Sequence, residues 1–358
     1  LRTTLSLPIS LHTSIVARIK VLAGLRIDET RIPQDGRISE IFGGKSIDFR
    51  ISVLPLREGQ EKVVMRILDT SIGVPTLEQL GFQPAHVAVI EKNIKKPHGL
   101  VLISGPTGSG KSTTLYTVLN MINAEGVNIS TLEDPVEYFI KGVNQSQIRQ
   151  EVGFTFAAGL RALLRQDPNV IMVGEIRDNE TAMLAIHAAL TGHLILSTVH
   201  TNDALGVVPR LLDMGVEPFL LAATLNVAIA QRLARKICQD CKVPAEIPDA
   251  VAAPLRKELE AIPPAFWPKG YAAGSPLVFY QGKGCPRCWG SGYRGRIAVS
   301  EILQGTKELS RIIASGFENA EARKEAAAQS MITLKQDTLL KALQGMTTVE
   351  EVLRVSQD

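Results

Sequence analysis

The sequence predicts an α/β fold. A mostly parallel sheet covered by helices is expected, with a smaller α+β domain before it and a cysteine-bearing segment and helical tail after it. Three observations carry that reading. From Gly99 onward, short apolar runs alternate with helix-period stretches, the rhythm of βα units whose crossover helices lie on the sheet faces. Ahead of Gly99, β-rich runs follow one another with no helix between them. Beyond the alternating region, four cysteines come as two C-x-x-C pairs.

Taken in order, His12–Leu25 sets Ile15, Val16, Ile19, Val21, Leu22 and Leu25 at mostly helical spacing, an amphipathic helix. Gly36–Phe42, Ile47–Leu54 and Lys62–Leu68 are separated by Gly43-Gly44 and by Glu58-Gly59, which reads as an antiparallel meander. A helical stretch over Pro84–Asn93 leads to a break at Lys95–Gly99, taken as the end of a first domain spanning 1–95. Leu100–Ser104, Asn128–Leu132, Val170–Gly174 and Leu194–Val199 are strand candidates. Lys111–Asn123, Phe154–Arg165 and Glu180–Leu190 are the helices between them, giving a core over 99–235. The cysteines fall in a subdomain over 236–306. A mainly helical region follows over 307–358, where Thr347 or Thr348 with Glu350 or Glu351 resembles a capping box.

Composition narrows the class. The 358 residues suggest two or three domains at about 100–200 residues each. Apolar residues at 45% and charged residues at 21% supply a sizeable core and exclude a disordered tail, a collagen-like chain or a coiled-coil rod. A net charge of +3 gives no general drive toward nucleic acid or anionic lipid. The most apolar stretch, Phe219–Ile229, is too short to span a bilayer and contains Asn226. The chain opens on Leu1 without a basic-then-apolar leader, read as a piece of a cytosolic protein. Four cysteines are too few for a disulfide scaffold, and their pairing suggests a metal site.

The strongest motif is Gly105-Pro106-Thr107-Gly108-Ser109-Gly110-Lys111-Ser112-Thr113, which fits G-x-x-x-x-G-K-[ST] between an apolar strand and a helix. Glycines let backbone N–H groups turn inward around phosphates, and the helix N-terminus adds partial positive charge. Lys111 is placed to contact the β- and γ-phosphates and Ser112 to coordinate Mg²⁺. Asp167–Glu175 is an apolar strand ending in a carboxylate, the Walker B arrangement, with Gly174-Glu175 in place of the more usual Asp. In Thr131–Glu137 three carboxylates, Glu133, Asp134 and Glu137, crowd within five residues. That is costly unless Mg²⁺ or a general-base role balances them, and an acidic loop is the plainer alternative.

Thr191–Thr201 is a buried strand with His193 and His200 at its ends, suggesting a sensor of γ-phosphate or of a neighbouring subunit; core or capping histidines are the plainer reading. Cys238, Cys241, Cys285 and Cys288 supply four thiolates for tetrahedral Zn²⁺ in a closed, hence structural, site. Residues 242–284 must then form an excursion. Arg50, Arg57 and Arg66 precede the P-loop, and an arginine delivered from a separate domain can neutralise charge building on a transferred phosphoryl group. A row of solvated strand arginines is the alternative.

In this order, the Gly105–Thr113 loop, the Thr131–Glu137 acidic box, Val170–Asp178 and Thr191–Ala204 resemble the secretion ATPases of type II secretion and type IV pilus assembly. Arg31–Ile38 and Arg50–Leu68 are similar to that family's second N-terminal domain, and the cysteine pairs with Trp289–Gly295 resemble its assembly branch. The resemblance implies a PAS-like N-terminal domain and a RecA-like P-loop NTPase domain with a zinc-binding insertion. It implies ATP, Mg²⁺ and Zn²⁺ as cofactors. Gly105 to Thr113 take the nucleotide, Ser112 and Glu175 take Mg²⁺, and Glu137 polarises the attacking water, with Glu133 as the alternative. His193 and His200 fall in the family's His box, and Arg50 and Arg66 match its nucleotide-contacting arginines. The segment between those two, Ile51–Met65, is slightly longer than the family pattern and adds Arg57, which leaves open which arginine inserts.

The implied activity is Mg-dependent ATP hydrolysis by a homohexameric motor acting on an inner-membrane platform protein. Such a motor is cytoplasmic, peripheral at the membrane through its partners, with no nucleic acid involved and a hinge expected at Lys95–Gly99. A conjugation-type (type IV secretion) ATPase shares this core without explaining the cysteine pairs. A nucleic-acid motor would call for a basic stripe, which a net charge of +3 and 5% aromatics disfavour. A nucleotide-gated scaffold that hydrolyses slowly is the reading from another class.

Overall fold

The computed structural model describes residues 3–69, 73–268, 271 and 274–357; Leu1 lies outside them. The chain divides after Gly73 into two compact units.

In the first unit, α1 (His12–Leu22) accompanies a three-stranded antiparallel sheet of β1 (Gln34–Phe42), β2 (Lys45–Pro55) and β3 (Glu61–Asp69), paired in chain order. The expected meander is present. Side chains alternate along a strand, so Phe49, Ile51 and Val53 of β2 turn toward Ile19 of α1 and Ala23 and Leu25 just past it. The intervening positions face the other way. There the register sets Arg37 opposite Arg50 and Arg50 opposite Arg66, a row of three guanidiniums across the sheet. Like charges directly opposed repel, and Arg37 is met by Asp48, which also takes the Ser39 hydroxyl.

The second unit begins with α2 (Leu77–Leu80) and α3 (Pro84–Ile94), then alternates β4 (Gly99–Ser104), α4 (Lys111–Ile122), β5 (Ile129–Glu133), β6 (Asn144–Gln147) and α5 (Phe156–Leu163). It continues through β7 (Val170–Val173), α6 (Asn179–Leu190), β8 (Leu194–Val199), α7 (Val207–Asp213), α8 (Pro218–Thr224) and β9 (Leu225–Ile237). An excursion of β10 (Lys242–Ala245), α9 (Asp249–Glu260) and β11 (Phe279–Gly282) precedes β12 (Tyr293–Gln304). Four helices close the chain: α10 (Lys307–Ala314), α11 (Asn319–Ala328), α12 (Leu334–Leu343) and α13 (Val349–Gln357).

The main sheet has the order β12-β9-β4-β8-β7-β5-β6, parallel except for β12, which runs antiparallel to β9. Both faces are covered, and β4 shows how. Leu100 and Leu102 enter one core with α6, α7, α8 and α10, while Val101 and Ile103 enter the other with α3 and α4. All four are fully buried, the apolar run expected of a parallel strand inside two helix layers.

Two features depart from the sequence reading. The division falls after Gly73 rather than at Lys95–Gly99, because α3 buries Val87, Ile90 and Ile94 in the same core as Val101 and Leu119. At about 1.5–3 kcal/mol for each buried aliphatic side chain, that packing binds α3 to the sheet. Gly99 is no loose pivot, since a Cβ there would stand 2.3 Å from the Asn226 amide. The second departure is the capping box. The Glu351 N–H does donate to Thr348 Oγ1 at 3.4 Å, but its carboxylate turns to Arg235 and Arg354 instead of returning to the cap. Among the described residues, no helix is long and apolar enough to cross a membrane.

Candidate nucleotide site and metal centre

Parallel strands end at one edge of a sheet, where helix N-termini also converge, and open α/β sheets take ligands there. β4 stops at Ser104, and Gly105–Gly110 turns the chain into α4 at Lys111. At Gly105, φ is +145° and a Cβ would lie 2.4 Å from the Gln231 carbonyl oxygen, so only glycine closes this turn. Lys111 Nζ donates to the carbonyls of Gly105 at 2.7 Å and Pro106 at 3.2 Å, folded back over the loop. Burial lowers its pKa, with Glu175 opposing that shift and Arg232 adding to it. An anion in the loop would restore the charged form.

The other acids reach the same edge. Glu175 lies just beyond β7, its Oε2 at 2.6 Å from Arg177 Nε and 3.4 Å from His200 Nε2 at the end of β8. Glu133 and Glu137 meet different fates. Glu133 ends β5, is 4% exposed, and accepts from the Tyr116 hydroxyl, from Thr131 Oγ1 at 2.6 Å and from Gln145 Nε2 at 3.0 Å. Glu137 sits half-buried on the loop beyond, where its N–H donates to Tyr116 Oη at 3.1 Å. Ser112 is exposed at the start of α4. Ser112 and Glu175 are suited to Mg²⁺ by their chemistry, a hydroxyl and a carboxylate.

Within one chain, His193 is not brought to this edge. It precedes β8 beside the start of β4, where its carbonyl accepts the Gly99 N–H at 3.2 Å and its Nδ1 lies 2.9 Å from the Ala188 carbonyl. The length of β8 at about 3.3 Å per residue puts it roughly 20 Å from the loop. Arg50 and Arg66 lie in the arginine row of the first unit, which Arg37 completes. Arg57 stands off that row, on the exposed 3₁₀ turn Arg57–Gly59 between β2 and β3.

Sequence reasoning missed three buried polar residues around the loop, because they sit in β9 and β12, strands no motif marks. Gln231, 1% exposed, accepts from Thr114 Oγ1 at 2.8 Å and donates to the Ser109 carbonyl at 2.8 Å, clamping the loop to the first turn of α4. Arg232 donates to the Asn202 carbonyl at 3.1 Å. Glu301 Oε1 accepts the Ala204 N–H at 2.9 Å, so both strands hold the segment that follows His200. Burial pushes the Glu301 carboxyl up to about 7, against the Ala204 N–H and Arg232. A raised pKa means that the folded state holds the proton more tightly. The stability it contributes is present below the unfolded value near 4.5 and lost as pH rises through about 7. Glu301→Gln should therefore be more stable than the parent at pH 8, by on the order of 3 kcal/mol, and little changed at pH 4. Thermal melts across that range test this; parallel curves for the two proteins would refute it.

The cysteines meet because β9 and β12 pair. Cys238 follows β9, Cys285 and Cys288 precede β12, and the register sets Ile237 opposite Tyr293. The pairs thus converge across the excursion, whose α9 and β11 pack on α12 and α13 through Leu255, Leu259, Phe279, Leu339, Leu340 and Val352. Sγ separations are 3.8 Å for Cys238–Cys285, 3.8 Å for Cys241–Cys288 and 3.7 Å for Cys285–Cys288, with all four within 4.8 Å. A tetrahedral zinc with Zn–S bonds of about 2.3 Å demands S···S of about 3.8 Å. All four are free thiols. The N–H groups of Cys285 and Gly292 point at Cys288 Sγ from 3.1 and 3.3 Å. Burial pushes Cys241 up to about 12, whereas at Cys288 burial is outweighed by those N–H groups, which hold it at about 6. The donor set fits Zn²⁺.

The fold and the site thus present a mostly parallel α/β sheet with a glycine-rich strand-to-helix loop after β4 and carboxylates at or beyond the ends of β5 and β7. Residues 1–354 match the family described as Type II/IV secretion system protein, and the chain belongs to that family. It is 47% identical over 348 residues to the "Type IV pilus assembly ATPase PilB" of Myxococcus xanthus, covering 97% of this chain and 59% of that protein. Against the "Type II secretion system protein E" of Pseudomonas aeruginosa it is 44% identical over 344 residues, 96% of this chain and 65% of the relative. The chain thus spans only part of the length of these relatives. The structure of the "Pilus Retraction Motor PilT and Bound ADP" matches with a TM-score of 0.66 and 28% identity, covering 92% of this chain and 78% of that one. The ATPase DotB of Yersinia pseudotuberculosis, at 21% identity and a TM-score of 0.65, covering 96% of this chain and 82% of its own, shares the fold.

Proposed function

We propose that this chain hydrolyses ATP in a Mg²⁺-dependent reaction and drives assembly of a type II secretion pseudopilus or a type IV pilus. In this reading it works as a homohexamer on the cytoplasmic face of the inner membrane, against a platform protein there. The observation that carries the chemistry is the convergence of Lys111, Glu137, Glu175 and His200 at one edge of one parallel sheet. The names of the relatives supply the system.

In this reading the Gly105–Thr113 loop and Lys111 hold the phosphates, and Ser112 and Glu175 hold Mg²⁺. The ion supplies charge neutralisation for the transferred phosphoryl group. Glu137 polarises the attacking water. Glu133 is left out of that role because three donors already occupy its oxygens in a buried setting. His200, beside Glu175, senses the γ-phosphate. The helix-plus-meander unit is the PAS-like domain, which delivers Arg50 and Arg66, and the four cysteines hold a structural Zn²⁺.

The test is Mg-dependent hydrolysis per chain across a range of protein concentrations, with Lys111→Ala as blank. Specific activity is expected to climb with concentration; flat activity would remove the shared site, and none above the blank would remove the hydrolysis. Arg50→Gln and Arg66→Gln should each lower turnover by about 10³-fold, the scale of an inserted arginine, with ATP affinity nearly kept. Unchanged turnover would return them to a solvated strand face.

A further inference from the structure

We infer that Tyr116 is a positioning residue, which fixes the loop carrying Glu137 to the helix carrying Lys111 and uses Glu133 as its anchor. The inference rests on the role proposed above for Glu137. Tyr116 stands five residues after Lys111 on α4, is 1% exposed, and packs edge-on against Tyr138, with centroids 4.4 Å apart at 90°. A hydroxyl has one proton to give. Since the Glu137 N–H can only donate, the Tyr116 oxygen accepts it, and its own proton goes to Glu133 Oε2.

Glu133 is in turn held by Thr131 and Gln145. Gln145 reaches the far side of the same loop, donating to the Tyr138 carbonyl at 3.1 Å and accepting the Ile140 N–H at 2.7 Å. The stretch from Glu137 to Ile140 is therefore tied at both ends to one buried carboxylate, and one hydroxyl joins it to the P-loop helix. Burial, reinforced by the Glu133 charge, raises the Tyr116 phenol, so it stays a proton donor at any working pH; burial likewise pushes Tyr138 up to about 12. A hydroxyl wanted only for core packing needs no partner on a loop. This one sets the offset between the phosphate-binding lysine and the residue that addresses the water.

Tyr116→Phe keeps the ring, the volume and the stack on Tyr138 and removes one oxygen. A misplacement of about 1 Å near a reacting centre costs up to about 10²-fold, so kcat should fall roughly 10- to 100-fold. KM for ATP and the affinity for a fluorescent nucleotide should stay near the parent values, since the phosphate cradle is untouched. In a Glu137→Gln background, followed by single-turnover hydrolysis, the same change should cost nothing more, because both act through one group.

Parent-like kcat in Tyr116→Phe, an equal loss in both backgrounds, or a loss that tracks nucleotide affinity would each overturn the inference. Parent-like turnover in Glu137→Gln alone would overturn the assignment of Glu137 and the inference with it. An unaffected Tyr116→Phe beside an inactive Glu137→Gln would overturn the inference alone. Gln145→Leu, outside the buried core, provides a second variant; it should give a smaller kcat loss with the same unchanged KM, and a KM effect would count against the proposal.

Discussion

Glu137→Gln should lose Mg-dependent hydrolysis by about 10²–10⁴-fold, the usual contribution of a positioned general base, while still binding nucleotide and melting where the parent does. Glu137 is half-buried on a loop, so an isosteric amide there costs less desolvation than the same change at the fully buried Glu133. Glu133→Gln should behave in the opposite way. Its carboxylate accepts from Tyr116, Thr131 and Gln145, and an amide nitrogen facing those donors strands at least one of them. A buried unsatisfied donor costs about 1–3 kcal/mol. The Glu133 variant should therefore show a lowered melting temperature and a milder kinetic defect. Paired melts and turnover numbers decide between the two acids: a stable, inactive Glu133→Gln beside a destabilised, active Glu137→Gln would exchange their roles.

Purified protein should carry one zinc per chain, and stripping it should unfold the cysteine subdomain. The expected effect is large because structural zinc contributes about 10–16 kcal/mol in small zinc-finger peptides, comparable to the whole stability of a domain. Loss of the metal leaves four thiols crowded within 4.8 Å of one another and releases the two cysteine segments that flank the end of β9 and the start of β12. Unfolding should spread into the excursion and loosen α12 and α13, which pack on it. Nucleotide binding should largely survive. Gln231 and Arg232 lie well before Cys238, in a stretch of β9 paired to β12, and β4 flanks the residues just ahead of them. Metal analysis, chelator-driven circular dichroism and nucleotide titration on one preparation provide the check. A metal-free protein with an undisturbed excursion would refute the zinc reading.

Much of the fold was legible because it is local. Apart from the polar edge strand β6, which no apolar pattern marks, the core strands and helices from β4 to β8 fall within a few residues of their expected positions, since apolar periodicity over six to twelve residues decides a buried strand or an amphipathic helix. β9 and β12 were not legible. β9 mixes Asn226, Gln231 and Arg232 into an apolar run, and those residues are tolerated only because partners far along the chain bury and bond them. The boundary after Gly73 was missed for a related reason: the break at Lys95–Gly99 looks like a linker until α3 is seen packed on the sheet.

The site divides along the same line. Spacing along the chain was enough to mark the Gly105–Thr113 loop, the carboxylates beyond the strands and the two cysteine pairs, because each is made by contiguous residues. What surrounds each acid comes from the tertiary structure. Partners drawn from α4, β5 and β6 surround the buried Glu133 carboxylate, while Glu137 sits half-buried on the loop beyond. Only the strand register aligned Arg37, Arg50 and Arg66, brought Cys238 to Cys285, and set His193 a full strand away from the loop. Spacing along the chain fixes which groups are available, but charge, dielectric and hydrogen-bond partners fix what they do, and those come from residues as distant as Thr114 and Gln231.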